Sequence, residues 1–213
     1  MNIQVREPVN REAWLRLLGV RGQADEELME RMDEAEKLLK AAAGIRGIYR
    51  IMPLAELPIE GRSISRHLAG CHSAAVMAVT LGAGVDSLIR QREITDMSMA
   101  VIIDCGASQL IEQACDEFEN HIRNESGAYM TSRFSPGYGD YPLKYQKSAV
   151  GLVDAQRKIG LNLTEDYLMV PRKSVTAVMG IADHPVEGRP ATCGECVLRD
   201  KCEIRNEGKY CGD

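Results

Sequence analysis

The stretch YLMVPRKSVTAVMGIADHP, from Tyr167 to Pro185, decides the fold class. Two apolar runs rich in β-branched residues flank Pro171, which predicts two strands around a turn at that proline. Upstream, the predicted elements run as helices, a strand, a mixed middle, a helix, a strand and a helix. Strands and helices do not alternate as a doubly wound sheet requires, so the sequence favours an α+β fold.

Helices are predicted in three regions of the chain. About residues 1–45 are predicted to be helical, with a capping Asn10 before REAWLRLL and a second, longer amphipathic segment that Gly44 ends. A long helix is expected over roughly 95–123. SAVGLVDAQRKIG is predicted to be one helix that stops at Gly160.

Three further segments are predicted to be strands. They are GIYRIMPL, CHSAAVMAVTLG and AYMTSRF, of which the last leads into a proline- and glycine-rich loop. For the apolar run CHSAAVMAVTLG a helix is the alternative, because periodicity does not distinguish a buried strand from a buried helix. Between them, LGAGVDSL resembles a dinucleotide-binding turn but has Ser87 where the third glycine is required. It is therefore interpreted as an ordinary turn.

Composition limits the partners and the compartment. The chain has 213 residues, 45% of them hydrophobic, with a formal net charge of −5 and 7 cysteines. An acidic chain is a poor match for nucleic acid or an anionic membrane, and no signal peptide or membrane-spanning run is recognised. A cytoplasmic location is expected, in which clustered cysteines indicate a metal before a disulfide.

The loop RFSPGYGDYP, beginning at Arg133, is predicted to be a binding loop. Its prolines and glycines exclude an ordinary helix or central strand. Arg133 offers a planar fork for a carboxylate or phosphate, Gly137 allows a ligand close to the backbone, and Tyr138 can stack and donate a hydrogen bond. A structural turn with a surface arginine is the alternative.

Glu112 is the second candidate, on a predicted helix. A solvated acidic face explains it simply. A carboxylate that balances a cationic ligand is the functional alternative.

The C-terminal residues 186–213 are interpreted as a cysteine-rich, metal-binding appendix. Four thiols with the spacing C-x2-C-x5-C-x8-C can surround zinc or hold an iron–sulfur cluster, and redox-labile thiols are the alternative. These thiols are Cys193, Cys196, Cys202 and Cys211.

Three segments together resemble the reactivation (activation) domain of cobalamin-dependent methionine synthase. They are IEQACDEFENHI, RFSPGYGDYP and KIGLNLTEDYLMVPRKSVTAVMGIADHP, within about 108–185. The likeness is most specific in R-x-x-P-G-Y, I-G-x-x-L-T-E, M-x-P-x-x-S-V and a closing H-P. It implies one curved, C-shaped α+β domain over 1–185, with a mostly antiparallel twisted sheet and flanking helices.

The resemblance also implies a role for each candidate residue. Arg133 would hold the carboxylate of S-adenosylmethionine, and Phe134 would contact the ligand through its backbone. Gly137 would allow close approach, and Tyr138 would line the reacting end. Glu112 would lie near the ammonium group of the ligand.

The implied function is that of a free-standing accessory protein for methyl transfer to a corrinoid. It would supply S-adenosylmethionine for reductive methylation of Co(II) cobalamin held by a separate methionine synthase or other corrinoid methyltransferase. A flavodoxin- or ferredoxin-type donor would supply the electron, and a cluster in the cysteine appendix could deliver it. The alternatives are service to another corrinoid system such as an O-demethylase, a metal-binding interaction module, or a conventional S-adenosylmethionine methyltransferase.

Overall fold

The computed structural model of the chain describes residues 1–186 and 188. These residues form two compact units. The first consists of Met1–Ile48, Ala78–Glu125 and Asp154–Val175, and the second of Tyr49–Met77, Ser126–Val153 and the described residues from Thr176 onward. Each unit is built from three separate stretches, so each depends on contacts between residues distant in sequence.

Helices account for most of the regular structure in the described part of the chain. They are α1 Arg11–Leu17, α2 Glu26–Ala42, α3 Arg62–His67, α4 Ala83–Thr95, α5 Met97–Ser126, α6 Tyr145–Leu152 and α7 Ala155–Ile159. A 3-10 turn covers Leu54–Glu56. None of these helices has the length and apolar character that crossing a membrane would need.

Within residues 1–186 and 188, the strands form one sheet of four and one of two. They are β1 Arg46–Pro53, β2 Ser73–Thr80, β3 Tyr129–Met130, β4 Asn162–Leu163, β5 Met169–Val170 and β6 Ser174–Ala182. The larger sheet has the order β1–β2–β6–β3, and β4 pairs with β5.

In the larger sheet, β6 is antiparallel to both of its neighbours, β3 and β2. β3 pairs antiparallel with β6. At one end of β2 the amide of His72 donates to the carbonyl of Ile181, and beyond the other end the amide of Leu81 donates to that of Lys173. Residue numbers rise along β2 as they fall along the paired β6, so the two strands are antiparallel. The predicted α+β class with a mostly antiparallel sheet is confirmed.

Trp14 organises the core of the first unit. It lies on α1, which Asn10 caps by accepting a hydrogen bond from the amide of Ala13. The indole is fully buried, and its Nε1 donates to the carbonyl of Ile102 at 2.9 Å. A Cβ at Gly106 would lie 2.3 Å from Trp14 Cζ2. The indole therefore occupies the space that a side chain on α5 would need.

In the first unit, the carboxylate of Glu36 on α2 makes several hydrogen bonds and ion pairs. Its carboxylate accepts from the amide of Val9 at 3.0 Å and pairs with Arg11 at 2.8 Å and Lys40 at 2.9 Å. Burial alone would raise the pKa of Glu36, but the bonds from Lys40 and Val9 and the charge of Arg11 hold it below its ordinary value. The carboxylate is therefore held in its charged form.

The single helix predicted across SAVGLVDAQRKIG is wrong, because α6 and α7 are separate. Between them Asp154 has φ 54° and ψ 43°, a left-handed conformation in which the helix cannot continue. Gly160 does end α7, with φ 74°.

The turn predicted for LGAGVDSL is also wrong beyond Gly82, since α4 begins at Ala83. Cβ atoms at Gly82 and Gly84 would lie 3.1 Å and 2.3 Å from the carbonyl oxygens of Gly44 and Ala42. These glycines therefore admit neighbouring backbone carbonyls. Such acceptors would repel a phosphate, so the contacts argue against a nucleotide site.

Two predicted strands differ in extent or pairing. In AYMTSRF only Tyr129–Met130 forms a strand, while Phe134 makes an isolated bridge to Val178. The two strands around Pro171 exist, but β5 pairs with β4 in the small sheet and β6 belongs to the large one.

Gly106→Ala should destabilise the protein, because the added methyl group overlaps the Trp14 indole. We expect a loss of about 1–3 kcal/mol in the free energy of unfolding, measured by chemical denaturation. Gly151→Ala on α6 is the matched control, since a Cβ there meets no atom within 4 Å. The control should be neutral or slightly stabilising, as alanine favours helix. Equal effects of both substitutions would contradict this packing.

Glu36→Gln should reduce stability in a pH-dependent way. A carboxyl whose pKa is lowered in the folded state stabilises the fold above its unfolded pKa of about 4.3, and this contribution is lost as the pH falls through the folded pKa. We expect a loss of about 2 kcal/mol at neutral pH and a smaller loss at a pH below about 4.3, where the unfolded carboxyl is protonated. Denaturation curves at both pH values measure this. The exposed Glu34→Gln serves as control, and a pH-independent loss would contradict the role given to the charge of Glu36.

Candidate functional site

The loop that contains Arg133 is fixed to β6 on both sides of the arginine. The amide of Thr131 donates to the carbonyl of Gly180 at 3.0 Å, and the hydroxyl of Thr131 accepts from the amide of Gly180 at 2.8 Å. Phe134 and Val178 exchange two backbone hydrogen bonds of 2.9 Å. Arg133 therefore projects from a short span whose ends are both held by a central strand.

Beyond Phe134 the loop is folded by its own backbone. The amide of Gly137 donates to the carbonyl of Tyr141 at 2.8 Å, and the amide of Tyr138 donates to that of Ser135 at 3.1 Å. Gly137 has φ 97°, a conformation that strongly favours glycine. A Cβ there would meet only Leu143 Cδ1, at 3.5 Å, so conformation rather than space requires the glycine.

Four of the five predicted ligand residues lie together on this loop. Arg133 is partly exposed, Gly137 is exposed, and the side chain of Tyr138 is 57% exposed. Phe134 is buried, and its ring meets that of Tyr138 edge-on with centroids 6.2 Å apart. Because its amide and carbonyl already pair with Val178, a ligand would find only the second lone pair of the Phe134 carbonyl.

The fifth predicted residue, Glu112, lies on α5 in the first unit and is exposed. It follows Ser108 by one helical turn. Lys173 Nζ lies 2.9 Å from the hydroxyl of Ser108 and 3.0 Å from Asp104 Oδ1. The exposed carboxylate of Glu112 thus extends a polar stripe on α5.

Two tyrosines lie where the loop ends and α6 begins. The rings of Tyr141 and Tyr145 stack with centroids 5.4 Å apart. Burial, and then the neighbouring Tyr145, raise the pKa of Tyr141 to about 12. Tyr141 therefore stays protonated at neutral pH and serves as a packing residue, not as a proton acceptor.

The N-terminus of α3 also contacts the loop. The carboxylate of Asp140 accepts from the amides of Arg62 and Ser63, both at 2.8 Å. Asp140 and Arg62 also line an open depression of about 730 Å³, together with Gly61, Ser65 and Arg66. These hydrogen bonds lower the pKa of Asp140, so it accepts as a carboxylate at neutral pH.

His67, the last residue of α3, meets the other end of the loop. Its Nε2 lies 2.8 Å from the carbonyl oxygen of Ser132. Because a carbonyl only accepts, Nε2 carries the proton and donates. The imidazole is buried and lies 4.9 Å from the ring of Phe134.

Asp140 and His67 are the residues that sequence patterns do not single out. Each contacts a segment more than 60 residues away along the chain, and no local pattern marks such a pairing. The sequence around His67 indicates only an ordinary buried or surface histidine. The one available signal is the position of Asp140 inside the predicted binding loop.

Metal ligands do not come together in the part of the chain described. Among residues 1–186 and 188, no group of three or more His, Cys, Asp or Glu side chains could hold a metal ion. The cysteines among these residues, which are Cys71, Cys105 and Cys115, are not joined in disulfides. The predicted ligands Cys193, Cys196, Cys202 and Cys211 lie outside the described residues.

Comparison with known proteins gives one family and one fold. Thirteen chains of known structure match. One, the crystal structure of the MetH reactivation domain bound to AdoHcy, has 16% identity and a TM-score of 0.62, covering 92% of this chain and 80% of that one. That likeness shows a shared fold. No curated protein matches.

A family model, described as the vitamin B12 dependent methionine synthase activation domain, matches residues 69–187, more than half of the chain. The matched range begins just after α3 and includes β6 and the whole loop RFSPGYGDYP that begins at Arg133. The chain belongs to the family of the vitamin B12 dependent methionine synthase activation domain.

Proposed function

We propose that this protein binds S-adenosylmethionine at the Arg133 loop and presents its methyl group to a corrinoid on a separate methyltransferase. The partner we favour is a methionine synthase. Family membership supports the role. The structurally similar reactivation domain was crystallised with AdoHcy, the demethylated form of the same ligand.

The observation that carries the proposal is the way β6 holds Arg133. S-adenosylmethionine bears a carboxylate, an ammonium and a sulfonium group. The backbone on either side of Arg133 is fixed by the contacts with β6, and a guanidinium carried on a fixed backbone is well suited to bind that carboxylate with two parallel hydrogen bonds. Gly137 leaves the backbone open to a ligand, and the exposed Tyr138 offers a ring face and a hydroxyl.

Glu112 would neutralise the ammonium group of the ligand. This role rests on the family resemblance and on charge, since an exposed carboxylate is the partner an ammonium requires. Phe134 would contribute its carbonyl oxygen. None of these residues acts as an acid, base or nucleophile in the proposal; they bind and orient the donor.

The reaction transfers a methyl group and consumes one electron. The electron reduces Co(II) of the partner's corrinoid to Co(I). The methyl group then passes from sulfur to cobalt, the sulfur keeps the electron pair of the broken bond, and S-adenosylhomocysteine is released. A flavodoxin- or ferredoxin-type protein would supply the electron. The donor and the corrinoid supply the chemistry, and this chain supplies position.

Arg133→Ala should weaken S-adenosylmethionine binding by roughly 10- to 100-fold, because a charge-assisted contact to the carboxylate is lost. Calorimetric titration of the purified protein measures the affinity, and Arg133→Lys should be intermediate because it keeps the charge without the fork. Arg157→Ala is the matched control, since that side chain is 80% exposed on α7. Absence of binding by the intact protein, or equal binding by Arg133→Ala, would contradict the proposal.

We also propose that Cys193, Cys196, Cys202 and Cys211 bind one zinc ion or an iron–sulfur cluster. Anaerobically purified protein should contain metal, and replacing Cys193 and Cys196 together with serine should remove most of it, since thiolates are the ligands. Elemental analysis and visible absorbance distinguish zinc from a cluster. A cluster would add a place for the electron within this chain, whereas zinc would exclude that role. Metal-free protein, or unchanged metal content in the variant, would refute the site.

A further inference from the structure

Both ends of helix α3 contact the ligand loop, which is the proposed ligand-binding loop between Ser132 and Asp140. At the N-terminus of the helix, Asp140 accepts from the amides of Arg62 and Ser63. At its last residue, His67 donates to the carbonyl of Ser132. The loop between Ser132 and Asp140, which contains every proposed ligand contact except Glu112, is therefore held at two points by one six-residue helix.

The contact at Asp140 replaces a missing helix cap. The first amides of a helix have no partner within the helix and usually bond to the side chain of the capping residue. Here the capping residue is Gly61, which has no side chain. Asp140 supplies the cap from 78 and 77 residues away, with one carboxylate oxygen on each amide. Stability of α3 and position of the loop are thus coupled through one carboxylate.

Gly61 permits this approach. Its φ is 125°, and a Cβ there would lie 2.8 Å from both the carbonyl oxygen and Oδ1 of Asp140. Any side chain at this position would push the loop away from the helix. The glycine at position 61 is therefore what allows Asp140 to come close enough to cap the helix.

The contact at His67 is shielded from water. His67 is 1% exposed, and the residue that accepts its hydrogen bond, Ser132, immediately precedes Arg133. A Cβ at Gly188 would lie 2.7 Å from His67 Cε1 and 2.8 Å from Thr131 Cβ, so Gly188 packs closely against this contact. A buried hydrogen bond of this kind fixes the backbone on the N-terminal side of Arg133.

We infer that α3 acts as a brace that holds the loop in its ligand-binding shape, with Asp140 and His67 as positioning residues. The inference rests on the proposed function for the identity of the ligand. Gly137 and Gly139 both have positive φ, and glycines leave an unsupported loop many conformations. Bracing both ends lowers the ordering cost that a ligand would otherwise meet, and so raises affinity without any contact to the ligand.

A nearby ion pair provides a control. Glu60 Oε2 lies 2.7 Å from Lys144 Nζ and 3.0 Å from the hydroxyl of Tyr145, just beyond the loop. Both charged side chains are more than half exposed, so the pair should contribute little. Glu60→Gln therefore removes an acidic side chain close in sequence to α3 while leaving the two brace contacts intact.

The test combines hydrogen exchange with ligand titration on the full-length protein. In Asp140→Ala, amides of residues 133–139 should exchange at least about tenfold faster while those of β2 stay unchanged, because only the loop loses support. Affinity for S-adenosylhomocysteine should fall about tenfold. His67→Leu should behave similarly, and His67→Gln, whose amide can still donate to Ser132, should recover much of both properties. Glu60→Gln should leave both unchanged.

The outcomes separate the brace from the proposed function. Unchanged loop exchange in Asp140→Ala and His67→Leu would overturn the brace, whatever the ligand does. Faster exchange with undiminished affinity would overturn the positioning role. If the intact protein binds no S-adenosylhomocysteine, the proposed function and the positioning role both fall, while the exchange data still decide whether α3 supports the loop. Faster exchange throughout the protein would mean general destabilisation and would also count against the brace.

Discussion

The backbone pairing of Thr131 and Phe134 with β6 is the constraint on which the ligand loop depends. A central strand of a sheet is among the most rigid parts of a protein, because its amides and carbonyls are bonded on both sides. By bonding to Gly180 and Val178 of that strand, the loop places the backbone of Arg133 with the precision of the sheet. A guanidinium on an unsupported loop would have to be ordered by the ligand, at a cost in affinity.

In the proposed function this loop binds the methyl donor, while the donor and the corrinoid carry out the reaction. Around Arg133 the chain supplies charge, an exposed ring face at Tyr138 and open backbone at Gly137, which are features suited to binding and orienting a ligand. This agrees with a protein that positions a reactive donor for a reaction carried out by the sulfonium and a corrinoid. Burial raises the pKa of Tyr141 to about 12, so this tyrosine stays protonated at neutral pH, and its ring packs against those of Phe134 and Tyr145.

Local sequence patterns predict much of the fold and part of the site. The continuous apolar runs of β2 and β6 are typical of buried strands, the apolar face of α2 follows helical periodicity, and the residue types around Arg133 are typical of a binding loop. The break at Asp154 escapes such patterns because nothing in VDAQ requires a left-handed aspartate. The start of α4 escapes them because GAG is typical of a turn, whereas here the glycines admit backbone carbonyls of Gly44 and Ala42. The contacts of Asp140 and His67 join distant segments, which single-sequence patterns do not encode.

The most direct test of the central claim is photochemical labelling of the purified protein with S-adenosylmethionine tritiated in its methyl group, followed by peptide mapping. We expect label in the peptide containing Arg133 and Tyr138, and we expect excess unlabelled S-adenosylhomocysteine to suppress it. Label confined to other peptides, or label in the loop peptide that the competitor does not reduce, would contradict the assignment of this loop as the site of the methyl donor.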